Sequence, residues 1–271
     1  TVEDMDYMFS GCTGLTSLNL SGWDLGKVTD MSYMFKGCTN LTSINFTGWN
    51  TGNVEDMEGM FSGCTRLTSL DLSSWNTGKV KDMSYMFKNC TGLTSLNLSG
   101  WNNGNVETMF EMFRGCTRLT SLDLSSFGTT KVTYMTSMFQ GCSNLASVNL
   151  SGWNTSNVEY MQGVFAGCTA LTSLDLSSFD TSKVVKFEDT SMAPPMFYNC
   201  SNLQRIYASS SFVPTGLQRE RNGSYAYGSL FSGCTSLVGG AGTAYDPSHT
   251  DATYARIDGG PSAPGYFTEK P

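Results

Sequence analysis

The sequence predicts an α/β repeat solenoid, a single coil wound many times, with a parallel β-ladder on one face and short helical or 3-10 turns on the other. Three observations predict it. Valine recurs at Val2, Val28, Val54, Val80, Val106, Val132, Val158 and Val184, a constant step of 26 residues. Cysteine keeps the same step from Cys12 to Cys168. Between these markers each copy repeats one L-x-x-L-x-L run and one M-x-x-M-F run, as at Leu15, Leu18 and Leu20, and at Met31, Met34 and Phe35. Self-similarity at such a period marks units that bury their apolar faces only against their neighbours.

The end of the L-x-x-L-x-L run alternates with period two, as a strand with one buried face does. A Gly- and Asn-rich segment of the LSGWNTG type follows and reads as a loop. Met31, Met34 and Phe35 are spaced by three and one, which suits a short helical or 3-10 turn. Thirteen of the fifteen methionines fill these turn slots. Stacked copies place equivalent strands about 4.8 Å apart, so nine strands extend about 40 Å. Residues 1–271 then form one solenoid domain, with seven regular repeats over 2–183, two longer irregular repeats over 184–236 and a C-terminal cap over 237–271.

The strand run resembles that of leucine-rich repeats, which favour a right-handed coil and carry Asn or Cys three residues after the last leucine. That slot here holds Trp23, Trp49, Trp75, Trp101, Phe127, Trp153 and Phe179. With the M-x-x-M-F-x-x-C-x-x-L-x-x-L run and the tail GGAGTAYDPSHTDATYARIDGGPSAPGYFT over 239–268, the chain resembles the BspA-like family of bacterial leucine-rich-repeat surface proteins. The resemblance implies an exported protein displayed on the cell surface, with adhesion to host matrix proteins or other bacteria in some members and no catalytic activity.

Composition narrows the function classes. A net charge of -7 with 39% hydrophobic residues fits a folded acidic protein and disfavours nucleic acid and anionic membrane as partners. No apolar run approaches the roughly 18 residues that cross a bilayer, which excludes insertion as a helix. The single histidine, His249, sits in the tail without the partners of a hydrolytic triad, so no enzyme and no cofactor is expected. Asp246, Asp251 and Asp258 in the same tail lack calcium-loop spacing, and no metal is expected there.

Nine cysteines at one per copy form no C-x-x-C pair, and in-register side chains point the same way, so a buried column of reduced thiols is expected. The aromatic column has two readings. Exposed, it makes a carbohydrate-binding strip; buried, it closes the coil, and the exchanges to Phe127 and Phe179 suit a site that selects volume over an indole N–H.

Strand alternation turns Ser17, Asn19 and Ser21 outward and Leu18 and Leu20 inward. The central outward column reads Asn19, Asn45, Asp71, Asn97, Asp123, Asn149, Asp175, with acid and amide alternating from the second copy. A concave face bearing this column is the expected partner-binding surface, although a solvated polar ladder accounts for it equally well. Lys27, Lys79, Lys131 and Lys183 alternate with Asn53, Asn105 and Asn157, giving a longer unit of 52 residues. Glu55, Glu107 and Glu159 lie diagonal to the lysines of the next copies, and pairing between them is expected to fix register.

After Val184 the copies stretch, and Pro194 and Pro195 exclude a continuous helix there. Arg219, Arg221, Tyr225 and Tyr227 form a mixed basic and aromatic cluster in the 208–229 loop, a second candidate contact site. Thr1 opens partway through a repeat, which reads as a fragment of something longer or as an uncovered rung open to end-to-end self-association. The function expected is a non-enzymatic bacterial surface protein that binds an extracellular protein or glycan of a host or neighbouring bacterium. A passive spacer displaying another domain and the carbohydrate strip are the alternatives.

Overall fold

The computed structural model describes residues 2–185, 193–213 and 230–270. They form a leucine-rich-repeat-like solenoid. Its strands are β1 (Ser17–Asn19), β2 (Ser43–Asn45), β3 (Ser69–Asp71), β4 (Ser95–Asn97), β5 (Ser121–Asp123), β6 (Ser147–Asn149), β7 (Ser173–Leu176), β8 (Arg205–Ala208) and β9 (Phe267–Glu269). All pairings are parallel and in register, Leu18 opposite Ile44 and Leu70 opposite Leu96. The ladder is not continuous, however. Hydrogen bonds join β1–β2, β3–β4, β5–β6 and β7–β8–β9, leaving a break after every second rung.

The continuous ladder lies on the opposite side, where bridges run Asp4–Asp30–Asp56–Asp82–Thr108–Tyr134–Tyr160. The M-x-x-M-F segment there is a chain of tight turns and not the helical or 3-10 turn expected. Alternate N–H groups bond along the stack, from Met31 to Asp56, Tyr33 to Glu58 and Phe35 to Met60, while those between close turns within the rung, from Met34 to Met31 and Lys36 to Tyr33. This alternation needs a left-handed residue in the middle of each segment, which a helix cannot hold. Tyr7, Tyr33, Tyr85, Glu111 and Ser137 adopt positive φ there, and glycine takes the slot at Gly59, where a methyl group would overlap the Tyr33 ring. Among the described residues the 3-10 helices are Ala252–Tyr254 and Gly260–Ser262, both in the cap.

The core is a set of columns. Met31, Met34, Phe35, Cys38 and Leu41 and their equivalents in the inner rungs are fully buried. Phenylalanine rings from Phe9 to Phe165 stack at centroid spacings of 5.5 to 5.7 Å. Phe231 ends the column, met edge-on by Tyr266 and Phe267 at 78° and 77°. The cap thus supplies both a terminal strand, β9, and two rings that close the core. Asp258 holds it together, accepting from the N–H groups of Ala241, Thr243 and Gly260 and from the Thr243 hydroxyl, so this carboxylate is a structural acceptor.

Eight of the nine cysteines are buried free thiols, and Cys12 on the first rung is exposed. Each buried thiol donates to the phenylalanine carbonyl one rung back, as Cys64 does to Phe35 at 3.1 Å, and burial pushes Cys90 and Cys142 up to about 12. A thiol so disfavoured as thiolate is chemically inert in the folded chain.

A threonine column staples the loops. Thr51, Thr129 and Thr155 are buried and each both donates to a carbonyl and accepts from the N–H of one residue in the next rung, Asn76, Asn154 and Asp180. Asn103 interrupts the column: its carbonyl oxygen accepts from Thr77, but its Nδ2 is buried with no acceptor. Replacing it by the column's own residue, Asn103→Thr, is expected to raise unfolding free energy by about 1 kcal/mol by removing an orphaned donor. A drop in the urea midpoint would show that the amide is satisfied in solution.

Candidate interaction surface

Strands β1 to β6 last three residues each because the residue that ends them turns its own side chain back. The Oδ1 atoms of Asn19, Asn45, Asp71, Asn97, Asp123, Asn149 and Asp175 each accept from the N–H two residues on, at 3.0 Å in Asp71 and 2.9 Å in Asp123. The column expected to face a partner is therefore also the device that breaks the strand into its loop. Asn and Asp serve equally in this turn.

All but one of the column members are exposed, together with Ser17 and its equivalents. The Ser73 hydroxyl and N–H, then the Asn97 amide, hold the Asp71 carboxyl below its ordinary range. Ser125 and Asn149 do the same for Asp123. Each acid is thus anionic at neutral pH and has an amide beside it within its own strand pair. Asp175 differs. It is half-buried, which works against its charge, yet the Lys270 ammonium 2.6 Å away and Ser177 keep it ionised. The cap has taken the last place on the face.

The tryptophan column is buried: Trp75, Trp101 and Trp153 expose 1 to 2% of their surface and Trp49 exposes 6%, with Trp23 on the first rung partly covered. A carbohydrate strip on this column has no exposed ring faces to offer. Volume is not the whole selection either. The indole N–H donates to a leucine carbonyl one rung back in alternate rungs, Trp49 to Leu20, Trp101 to Leu72 and Trp153 to Leu124, at 2.8 to 2.9 Å. Phe127 and Phe179 fall only in the rungs between.

The expected diagonal pairing of lysines with glutamates does not form. Stacking sets residue i against i+26, so Lys79, Lys131 and Lys183 donate to the Oδ1 of Asn53, Asn105 and Asn157 at 2.6 to 2.7 Å. Glu55 pairs instead with Lys81, directly above it, at 2.5 Å. Arg219, Arg221, Tyr225 and Tyr227 lie outside the described residues.

Two arrangements were missed in the sequence. Asp4, Asp30, Asp56 and Asp82 stack in register on the turn side, and burial, then the charges of Asp82, Asp30 and Glu58, raise Asp56 to about 6 although the Glu58 N–H bonds it. Their 26-residue spacing was there to be read. Glu111 is buried between Lys88 and Arg114, 2.6 Å from each. No sequence signal marks it, because its slot elsewhere holds tyrosine, glycine or serine.

Several solved structures are similar to this chain at low identity. A leucine-rich repeat protein from Bacteroides ovatus is 18% identical over 88% of this chain and 70% of its own, with a TM-score of 0.29. An internalin from Listeria monocytogenes is 15% identical over 76% of this chain and 85% of its own, with a TM-score of 0.22. The TLR13 chain of a TLR13–ssRNA13 complex is 21% identical over 86% of this chain, which spans 33% of that one, with a TM-score of 0.33. No curated protein matches. One family model matches twice, over residues 3–123 and 109–211, which together take in most of the repeat stack. The chain therefore belongs to the DUF285 family, described as a Mycoplasma protein of unknown function.

Proposed function

We propose that the chain is a non-enzymatic, BspA-like protein of the bacterial cell surface that binds extracellular proteins through the outward strand face carrying Ser17, Asn19, Asn45, Asp71, Asn97, Asp123 and Asn149. The observation that carries this reading is the asymmetry of the rung. Everything that faces inward is fixed by packing, whereas the strand face presents a long exposed array of hydroxyls, amides and two carboxylates on a rigid stack. Recognition sites are commonly built this way, with adaptable polar groups on a scaffold that loses little entropy on binding. The repeat resemblance to bacterial surface proteins supports the location and the choice of protein partners.

Binding to an array of purified extracellular matrix proteins and glycans, repeated with Asp71→Lys/Asp123→Lys, tests the reading. The double variant is expected to lose at least about tenfold in affinity for the protein partner, a loss of about 1.4 kcal/mol. Unchanged affinity means that another face binds, and binding confined to glycans replaces the partner class.

A further inference from the structure

We infer that one partner of the strand face is a second copy of this chain, docked through its lysine edge. The inference rests on the proposal that the strand face binds proteins, and it names the partner from charge and spacing. Asp71 and Asp123 are exposed and ionised, and among the described residues neither meets a lysine or arginine. Lys79, Lys131 and Lys183 are exposed as well, and what holds each of them is the neutral Oδ1 of an asparagine. Those asparagines are themselves pinned, Asn53 to the Gly26 carbonyl, Asn105 to Gly78 and Asn157 to Thr130. Among the described residues none of the three forms an ion pair, although Glu55 and Asp180 feel the charges of Lys79 and Lys183 at longer range. Each ammonium is held in place and open to an incoming carboxylate, which lowers the ordering cost of pairing.

The two columns share one period. Asp71 and Asp123 are 52 residues apart, as are Lys79, Lys131 and Lys183. That step is two rungs, about 9.6 Å along the stack at strand spacing. Acid and lysine also belong to the same rungs, eight residues apart across the tryptophan corner. A partner chosen at random has no reason to carry cations at this step, whereas another copy carries them by construction. Asn97 between them and the flanking Asn45 and Asn149 are uncharged and do not oppose the approach.

The chain already shows the contact in miniature. Lys270 reaches across from the cap to Asp175 at 2.6 Å, so the carboxylate column accepts a lysine where one is supplied. Asp71 and Asp123 remain open to a lysine from outside. Because face and edge are different surfaces, each copy keeps one of each free after docking, and association is open-ended. Exposed pairs are individually weak and screened by salt, so it depends on several rungs engaging at once.

Sedimentation of the full chain over a concentration series, at low and high salt, tests this. Wild type is expected to grow in mass with concentration at low salt and to associate at least about tenfold more weakly at high salt. Asp71→Lys/Asp123→Lys alone and Lys79→Glu/Lys131→Glu/Lys183→Glu alone are each expected to stay at the monomer mass of 29.4 kDa. Mixed in equal amounts they regain association, since every junction between unlike copies is again complementary, a rescue that misfolded variants do not give. A wild type that stays monomeric at low salt, or a mixture that fails to associate, overturns the inference. A monomeric wild type that still binds another protein through Asp71 and Asp123 sinks the self-docking alone and leaves the binding face standing.

Discussion

Replacing Trp101 with phenylalanine is expected to lower unfolding free energy by about 2–3 kcal/mol, while the same change at Trp75 costs about 1 kcal/mol. Both side chains are buried and both sit in one column, so burial alone predicts equal losses. The difference lies in the indole nitrogen. At Trp101 it donates to the Leu72 carbonyl at 2.8 Å, whereas among the described residues the Trp75 indole finds no acceptor. Trp101→Phe therefore loses a buried hydrogen bond as well as ring volume, and Trp75→Phe loses volume alone. The chain has already made the cheaper exchange twice, at Phe127 and Phe179, in rungs of the Trp75 class. Urea midpoints of the two variants decide it, and equal losses would show that the indole bond contributes nothing net.

The same alternation explains what was legible in the sequence. A 26-residue step fixes which residues stack, because in-register rungs put i over i+26, and the buried thiols, the inward leucines and the outward Asn/Asp column all follow from that. Side-chain spacing does not fix the backbone between. Met31, Met34 and Phe35 fit a helical turn as well as a run of tight turns, and the evidence against the helix was Gly59 and Gly163 at a position where a glycine is cheap only if φ is positive. The pairing of strands in twos was equally hidden. Asn45 and Asp71 look interchangeable in a column, yet hydrogen bonding joins β3 to β4 and not to β2.

The lysines show where a correct pattern gave a wrong contact. Their two-rung alternation with Asn53, Asn105 and Asn157 was visible, and opposite charge on the diagonal glutamates made a salt bridge the natural expectation. Stacking geometry wins because the residue directly below is one strand spacing away and the diagonal one is farther. Each lysine is left without an ion-pair partner among the described residues, and this is what the proposed docking uses. The stretch with Arg219 and Tyr225, the second candidate site, lies outside the described residues.

Asp56→Asn is expected to stabilise the chain by about 1–2 kcal/mol at pH 7, with the gain vanishing near pH 4, after allowing for solvent screening of a partly exposed group. The folded carboxyl titrates at about 6, against 3.8 for the unconstrained group, because it is partly buried and stacked between Asp82 and Asp30 with Glu58 beside it. Between these two values the folded chain binds more protons than the unfolded one. Stability is then highest below 3.8 and is lost as pH rises through 6. Asparagine keeps the Oδ1 acceptor that holds the Glu58 N–H at 2.8 Å and removes only the charge. Asp71 and Asp123 work in the opposite sense, since their depressed pKa values stabilise above 3.8 and that contribution disappears on acidification. The wild-type profile mixes the two, so the informative quantity is the difference between Asp56→Asn and wild type from pH 4 to pH 7. A difference that rises from near zero at pH 4 and levels off above pH 6 places the excess charge on the stacked aspartates, and a flat or negative one shows that the Asp56 carboxylate is not strained by its neighbours.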